Sequence, residues 1–291
     1  MTELDDALST FTSVRPRLFG IAYRMLGSAV EAEDIVQEAW LRWQGYDRST
    51  VLEPAAFLAT TTTRLAINLA TSAHSRRETY IGPWLPEPVD TSADPLLGAE
   101  RGEALGFAML LLLEKLTPTE RAAYVLREAF DYPYPQIAEV IQHSEASARQ
   151  LVSRARKRLL AEKRSQASGS EQKRLLTAFL AAAQSGDVGA LEKIFAEDVV
   201  SYTDGNGVAL AARIPVAGRS RVAKFIAAFS SHFWTDASID WLEINGHASA
   251  RLTRDGAAYA VVTLESTNEG VDRVLWFMSP AKLSGLPVTT G

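Results

Sequence analysis

The stretch from Thr117 to Leu160 reads TPTERAAYVLREAFDYPYPQIAEVIQHSEASARQLVSRARKRLL. It opens with a threonine, a proline at the first helical position and Glu120 three residues after the threonine, a combination that starts helices. The pattern predicts a helix to about Phe130, a short helix over Pro135–Gln142 and a longer helix over Ala146–Leu160. Two short helices joined by a tight turn, the second of them basic, are typical of a helix-turn-helix.

The last of these helices is apolar on one side and polar on the other. Its apolar side carries Ala148, Leu151, Val152, Ala155 and Leu159, and its polar side carries Arg149, Gln150, Ser153, Arg154 and Lys157. Between residues 145 and 164 there are seven Lys or Arg and two acidic residues. Such a helix can lie in a major groove and donate to phosphates and base edges. The alternative is a solvated basic helix in an ordinary bundle, and the apolar turn pattern before the helix favours the first interpretation.

Composition limits the class of protein. The chain has 291 residues, 47% of them hydrophobic and 22% charged, which is typical of a soluble globular protein with two or three domains. It has no cysteine, which excludes disulfides and thiolate chemistry and favours a cytoplasmic protein.

The acidic N-terminus predicts no signal peptide, and the longest apolar run, Ala104–Leu113, is too short to span a bilayer, so no membrane is expected. The four histidines form no metal motif, and no cofactor is predicted.

The net charge of −5 conflicts with a free-standing DNA-binding protein, which is usually basic. Positive charge is confined to short segments, so few phosphates can be neutralised by the chain alone. We therefore expect weak DNA binding by the isolated chain and a partner that supplies positive charge.

The N-terminal part shows three amphipathic patterns that predict helices at residues 11–27, 29–43 and 54–77. The second has an acidic side that carries Glu31, Asp34 and Glu38, which is either a solvated face or a docking face for a basic partner. The third contains the threonine run 60–63, which is poor helix material because β-branched side chains lose freedom there. Its polar side carries Arg64, Asn68, Arg76 and Arg77, a second candidate nucleic-acid surface.

A proline- and glycine-rich segment over residues 79–102 is predicted to be an extended linker. Trp84 and Leu85 stand inside it, and an apolar pair in a polar linker is expected to dock onto another surface.

Beyond residue 172 the pattern changes to mixed helix and strand. Helices are predicted at 174–184, after the capping residue Asp187, and at 218–234. Strands are predicted at 238–244, 247–252, 257–266 and 271–278, joined by short turns such as Asn245-Gly246. Asp204-Gly205-Asn206-Gly207 is a further hairpin signal. Helices followed by an antiparallel meander predict an α+β domain with its sheet curled over the helices.

Acid–base chemistry in this domain would need a titratable group in an apolar cavity. The candidates are Asp204, His232 and His247, with Trp241, Tyr259 and Trp276 as cavity walls. The alternative is that these are ordinary turn, surface and core residues. His247 follows a turn and is expected to be exposed.

Three segments together resemble a known family. Glu33–Glu38, EDIVQE, resembles the polymerase-clamp-binding motif of bacterial sigma factors, and Thr117–Leu160 resembles domain 4 of the extracytoplasmic-function (ECF) class. Thr79–Pro88, TYIGPWLPEP, is similar to the linker signature of group 41 of that class. Members of group 41 carry a fused C-terminal domain of the SnoaL-like, cone-shaped α+β fold.

The resemblance implies a multidomain architecture. Two all-α sigma domains are expected, a domain 2 helical bundle at 1–78 and a domain 4 helix-turn-helix at 103–164, separated by the linker at 79–102. Residues 171–291 would form the SnoaL/NTF2-like α+β domain.

The resemblance also implies partners. The chain would bind core RNA polymerase, at its β subunit and at the coiled coil of its β′ clamp, and promoter DNA. The polymerase-binding residues would be Asp34, Ile35, Val36, Gln37 and Glu38. The minus-10 contacts would come from Arg64, Asn68, Arg76 and Arg77, although Leu69-Ala70-Thr71 stands where the family usually has more arginine. The minus-35 contacts would come from Ser144, Ser147, Arg149, Gln150, Ser153, Arg154 and Lys157.

A regulatory role is implied for the tail, which would tune activity in place of a separate anti-sigma protein. The residues concerned would be Trp84, Leu85, Pro86, Asp204, Gly205 and Lys282. The family motifs Asp-Gly-Gly-Gly-Lys and Asn-Pro-Asp-Lys-Leu are replaced here by Asp204-Gly205-Asn206-Gly207-Val208 and Ser279-Pro280-Ala281-Lys282-Leu283. The alternative is a one-component transcription regulator whose tail senses or converts an unknown small ligand.

Overall fold

The computed structural model describes residues 3–77, 80–91, 106–161 and 167–286, with side chains in the first range described from residue 5 to 72. The chain divides into two compact units. The helical unit combines Met1–Glu78 with Pro95–Lys163, and the sheet unit combines Thr79–Asp94 with Arg164–Gly291. The first part of the predicted linker therefore belongs to the sheet unit.

The first part of the helical unit is formed by helices α1 (Glu3–Leu26), α2 (Ala29–Gly45) and α3 (Pro54–Arg77). Ser28 separates the first two and caps α2 by accepting from the backbone N–H of Glu31. α1 begins eight residues before the predicted start, because Ala7 is also on its buried side. The carbonyl of Ala7 accepts a hydrogen bond from Nε1 of the buried Trp43, at 3.3 Å.

Helix α3 runs without a break through the threonine run that was expected to weaken it. The hydroxyl of Thr61 donates to the carbonyl of Phe57 at 2.9 Å, and that of Thr63 donates to the carbonyl of Ala59 at 2.8 Å. Such bonds to the preceding turn satisfy threonine hydroxyls within a helix. Packing on α1 thus outweighs the low helix propensity of threonine.

The second part of the helical unit contains α4 (Phe107–Leu113), α5 (Pro118–Phe130), α6 (Tyr134–Ile141) and α7 (Glu145–Leu160). The predicted capping box is present, since Thr117 and Glu120 each accept from the other's backbone N–H. The residues that follow α5 and α6, Asp131 and Gln142, both have positive φ, and Ser144 caps α7. The predicted helix-turn-helix is confirmed, with bounds shifted by one residue.

The sheet unit contains both helices and strands. In chain order its elements are α8 (Gly169–Ser185), α9 (Val188–Ile194), β1 (Phe195–Asp204), β2 (Val216–Ala217), α10 (Arg219–Ala228), α11 (Ser230–Phe233), β3 (Ser238–Ile244), β4 (His247–Arg254), β5 (Ala257–Thr267), β6 (Gly270–Phe277) and α12 (Pro280–Leu283). The last four strands are the predicted antiparallel meander. Their bounds differ from the prediction by up to two residues.

The six strands form one mixed sheet in the order β2-β1-β6-β5-β4-β3, with β1 parallel to β6. One face packs on helices α8 to α11 through a buried apolar cluster that includes Phe179, Leu191, Val222, Val262 and Trp276. Helices thus cover one face of the sheet. This is an α+β unit, as predicted.

The turn predicted at Asp204–Gly207 forms, with positive φ at Asn206 and Gly207, but the hairpin that contains it has a long loop. β1 ends at Asp204, and the next strand, β2, pairs back with Val200 and Ser201. The intervening loop closes on itself, because the N–H of Val208 donates to the carbonyl of Gly205 at 3.1 Å. On the opposite side of β1, the carbonyl of Asp204 accepts from the N–H of Met278 at 2.7 Å, so the chain after β6 continues along the end of β1.

Candidate functional site

The acidic face of α2 is narrower than the sequence motif suggests. Asp34 and Gln37 are exposed, and Glu38 is half-exposed and pairs with Arg42 at 2.8 Å. Ile35 and Val36 are buried with the rest of the apolar stripe. They hold α2 in the bundle, and their side chains are not accessible to a partner.

Two exposed apolar residues share this face. Val30 is 61% exposed and Leu41 is 56% exposed. They stand four residues before Asp34 and four after Gln37, so helical spacing puts all four on one stripe. The sequence-based prediction missed Val30 and Leu41 because it followed the acidic motif alone, although the same spacing could have found them.

The polar side of α3 is partly engaged within the helical unit. Arg64 donates from Nε to the carbonyl of Val140 at 3.0 Å and from Nη2 to the carbonyl of Glu139 at 2.7 Å. These carbonyls lie at the C-terminal end of α6, where helical carbonyls lack intrahelical partners. Asn68 is exposed. The side chains of Arg76 and Arg77 lie outside the described residues.

Further arginines connect the two parts of the helical unit. Arg17 donates to the carbonyl of Phe130 at 3.0 Å, and its guanidinium lies 4.9 Å from the ring centroid of Tyr132. Arg121 donates to the carbonyl of Met25 at 2.6 Å and pairs with Glu114 at 2.7 Å. Burial lowers the pKa of Arg121 to about 10. Sequence reasoning missed the bonds to Phe130 and Met25, since these partners are backbone carbonyls far away in the chain.

Helix α7 presents the predicted polar face. Ala148, Leu151, Val152, Ala155 and Leu159 are buried, and Ile137, Val140 and Ile141 of α6 are buried as well. Of the predicted DNA-binding residues, Arg149, Gln150, Ser153, Arg154 and Lys157 are exposed, whereas Ser147 is half-buried. Ser144 serves as the helix cap, since its hydroxyl accepts from the N–H of Ser147 at 3.2 Å. The exposed side chains form one donor-rich surface.

In the sheet unit, Asp204 and Lys282 form a buried ion pair, although both were predicted only as members of separate motifs. Lys282 Nζ lies 2.6 Å from Asp204 Oδ2, and the side chains are 6% and 0% exposed. Asp204 ends β1 and Lys282 lies in α12, which follows β6. The parallel pairing of β1 with β6 brings the ends of these two strands together.

The same pair holds the linker segment 80–91. Leu85 donates its N–H to Asp204 Oδ2 at 2.7 Å, and Lys282 donates to the carbonyl of Leu85. The hydroxyl of Tyr80 donates to Asp204 Oδ1, and the ring centroid of Trp84 lies 4.6 Å from Lys282 Nζ. Burial and the adjacent carboxylate raise the pKa of Tyr80 above its ordinary value.

Apolar contacts and backbone pairing complete the docking of the linker. Leu85 and Pro86 are buried. Val89 and Asn245 exchange two hydrogen bonds of 2.9 Å, and Thr91 donates to the carbonyl of Glu243 at 3.1 Å. The expected docking of Leu85 is thus observed, while the pairing with β3 and the following turn was missed because backbone groups leave no sequence signal.

Gly205 permits a tight turn beside this site. A Cβ at Gly205 would lie 2.2 Å from the Cβ of Ala211, a distance at which the loop would have to move. The glycine therefore lets the loop after β1 fold closely next to Asp204.

The structure assembles no acid–base cavity from the residues predicted for one. Asp204 is occupied by the linker, and Trp241 is 44% exposed, so it lines no cavity. The prediction that His247 is exposed is wrong, because its ring is buried with Nδ1 at 2.9 Å from Gln172 Oε1. His232 lies on the surface against Ser231.

Trp276 and Tyr259 both touch the ring of Phe233, and Trp276 lines a small apolar recess. Within the ranges that the structure describes, no group of His, Cys, Asp and Glu could hold a metal ion, and no helix is long and apolar enough to cross a membrane.

The helix-turn-helix with its exposed donors has the architecture of a DNA-binding protein. A family model of Sigma-70 region 2 matches residues 10–77, and a model of Sigma-70 region 4 matches residues 107–159. The first range corresponds to α1–α3 and the second to α4–α7. The helical unit therefore consists of sigma regions 2 and 4.

Comparison with whole proteins gives the family. The chain is 41% identical over 225 residues to the ECF RNA polymerase sigma factor SigJ of Mycobacterium tuberculosis, spanning 75% of this chain and 72% of the relative. It is 30% identical to the probable ECF RNA polymerase sigma factor SigI of that species, over 80% of each chain. The SigJ crystal structure aligns with a TM-score of 0.77 and 32% identity over 97% of this chain and 100% of SigJ.

The chain therefore belongs to the ECF RNA polymerase sigma factors. These are non-enzymatic factors that bind core RNA polymerase and promoter DNA and direct transcription initiation. This chain carries, in addition to regions 2 and 4, a C-terminal unit with a mixed six-stranded sheet.

Proposed function

We propose that the fused sheet unit modulates this sigma factor by holding the linker between regions 2 and 4. The observation that carries the proposal is the buried Asp204–Lys282 pair, whose atoms bond the backbone of Leu85 on both sides. A buried ion pair is stable only when its remaining polar atoms also find partners. The linker supplies those partners, so docking of the linker and integrity of the pair depend on each other.

Holding the linker would limit how regions 2 and 4 move relative to the promoter. A sigma factor must contact two separated promoter elements, and the segment between the two regions has to adapt to their spacing. Residues 80–91 are bound to the rest of the sheet unit by hydrogen bonds and by burial of Leu85 and Pro86. The sheet unit would thereby tune promoter access, in place of a separate anti-sigma protein.

We further assign the sheet unit to the SnoaL/NTF2-like folds. A six-stranded mixed sheet with helices packed on one face supports this assignment. The resemblance of the linker signature to that of group 41 also supports the assignment.

The polymerase contact is assigned to the exposed stripe of α2. Asp34 carries the negative charge at its centre, Gln37 and Glu38 extend the polar surface, and Val30 and Leu41 lie at its two ends. A polar centre with apolar ends suits a basic partner helix that also offers apolar side chains. We assign this partner as the coiled coil of the β′ clamp.

The promoter contacts are assigned to α7 and α3. The donors Arg149, Gln150, Ser153, Arg154 and Lys157 are exposed on α7 and would face the minus-35 element. Arg64 and Asn68 of α3 would face the minus-10 element. Arg64 would first have to release the carbonyls at the end of α6, so contact with the minus-10 element requires a rearrangement of the helical unit.

The recess in the sheet unit does not support the alternative function as a small-molecule sensor. It is lined by apolar side chains such as Phe225, Phe229 and Trp276, and its volume is about 40 Å³. Sites for small molecules usually measure about 300–1,000 Å³.

The test is in vitro transcription with core polymerase. We compare the full chain, a chain that lacks residues 171–291 and a full-length Asp204→Ala variant on a set of promoters that differ in the spacing of their two elements. If the linker is restrained, both variants will change the preferred spacing or the yield. Unchanged profiles from both would refute the regulatory role, while the chain would remain a sigma factor.

A further inference from the structure

Arg149 is held in a fixed orientation by two neighbours on α6 and α7. Its Nη2 lies 2.6 Å and its Nε lies 3.1 Å from Glu145 Oε1, one helical turn earlier. Its guanidinium carbon lies 4.4 Å from the ring centroid of Tyr134. The Arg149 side chain remains 59% exposed, so its outer edge is accessible.

A second arginine contacts the ring of Tyr134. The guanidinium carbon of Arg127 lies 5.0 Å from the Tyr134 ring centroid, and Arg127 is anchored by donating to the carbonyl of Tyr132 at 3.0 Å. Tyr134 is half-buried at the start of α6. The half-buried ring thus has two guanidinium neighbours, one of them anchored, and these contacts restrain it.

The hydrogen bonds to Glu145 leave one edge of Arg149 free for recognition. A guanidinium has five N–H donors in a planar fork. Glu145 occupies the edge formed by Nε and Nη2, so the end formed by Nη1 and the outer hydrogen of Nη2 still presents two parallel donors. Guanine presents two acceptors, N7 and O6, side by side in the major groove, and no other base does so.

We infer that Tyr134 and Glu145 are positioning residues that aim Arg149 end-on at a guanine of the minus-35 element. The inference rests on the proposed assignment of α7 to that element. Tyr134 restrains the plane of the guanidinium and Glu145 sets its rotation within that plane. Specificity for guanine thus depends on two residues that need not contact DNA themselves.

The experiment measures base preference with the full chain and core polymerase. Run-off transcription is carried out on promoters in which each minus-35 position carries each of the four bases in turn. Arg149→Ala identifies the position that Arg149 reads, and we expect it to lose a preference for guanine of about 5- to 150-fold, which corresponds to 1–3 kcal/mol. Tyr134→Leu and Glu145→Gln should each reduce the same preference by about three- to tenfold, within that range.

Matched variants separate positioning from general damage. Tyr134→Phe keeps the ring and should keep the guanine preference. Glu139→Gln removes one exposed negative charge from α6 and should leave the preference unchanged. The readout is the ratio of transcript yields between bases at one position, because a folding defect lowers the yield from all promoters alike.

The outcomes are distinguishable. In one outcome, Arg149→Ala loses the base preference at one position, while Tyr134→Leu and Glu145→Gln keep the full preference for guanine. The positioning role is then refuted, and the minus-35 assignment stands. If Arg149→Ala instead loses the preference at a position where the parent chain prefers another base, end-on reading of guanine is refuted. If Arg149→Ala leaves every preference intact, the proposed base contact fails, and the inference fails with it.

Discussion

Lys282 and Asp204 lie 78 positions apart in the chain, yet Lys282 Nζ is 2.6 Å from Asp204 Oδ2 in a site that is almost closed to solvent. The backbone of Leu85 forms a hydrogen bond with each of the two groups. The pair therefore connects three separate segments of the sheet unit, namely the end of β1, helix α12 and the linker.

Removing one member of this pair should destabilise the sheet unit more than removing both. Asp204→Asn leaves a buried ammonium without its counter-charge, which costs about 3–5 kcal/mol, whereas the double variant Asp204→Asn/Lys282→Met leaves no buried charge and should cost less. Urea unfolding of the single and double variants measures the difference. Equal or larger destabilisation by the double variant would show that the two groups act independently.

Linker docking should weaken at alkaline pH through Tyr80. Because its pKa is raised in the folded chain, the neutral phenol is favoured there, and the stability that it contributes is fully present below about pH 10. This contribution is lost as the pH rises from about 10 towards the higher pKa of the folded state.

The difference in unfolding free energy between the parent chain and Tyr80→Phe isolates this effect, since both share every other titrating group. The difference should be constant from pH 7 to 9 and fall above pH 10. A difference that stays constant up to pH 11 would mean that the Tyr80 hydroxyl does not contribute through its bond to Asp204.

Charge reversal at Asp34 should weaken binding to core polymerase. Asp34 is exposed at the centre of the α2 stripe, and a lysine there would repel a basic partner. Removing one rim charge typically costs about 1 kcal/mol, and reversal should cost more, so we expect a loss of affinity of about tenfold at low salt.

Fluorescence titration of core polymerase with Asp34→Lys and with Glu269→Lys checks this expectation. Glu269 is exposed in the turn between β5 and β6, so its reversal is a matched change of net charge away from α2. Equal affinity of the two variants would mean that the acidic stripe is merely solvated.

Arg64→Ala should loosen the C-terminal end of α6. The substitution removes two charge-assisted hydrogen bonds to carbonyls, one part-buried and one exposed, so each contributes less than the roughly 1.5–3 kcal/mol of a bond to a charged group. Hydrogen exchange of peptides covering 134–141 should become faster.

Arg42→Ala serves as the control, because it removes only an exposed pair with Glu38 on α2. Exchange over 134–141 that is unaltered in Arg64→Ala would show that these bonds do not hold regions 2 and 4 together.

Local signals in the sequence predicted most of the secondary structure. The Thr117–Glu120 capping box, the apolar stripe of α7 and the Asn245-Gly246 turn were all found as expected, because each depends on residues within about four positions. The failure at His247 has the opposite cause. Its ring is buried because a distant segment, α8, supplies Gln172 as its partner.

The sequence by itself thus determined which segments are helices and strands, which helix face carries the donors, and which family the motifs resemble. Only the tertiary structure decided that Ile35 and Val36 are inaccessible, that Arg64 is already engaged, and that Asp204, Lys282 and Leu85 share one site. The reason is physical: helical and turn preferences are set by near neighbours in the chain. A buried ion pair exists only where the fold removes two distant groups from water and gives each its remaining hydrogen bonds.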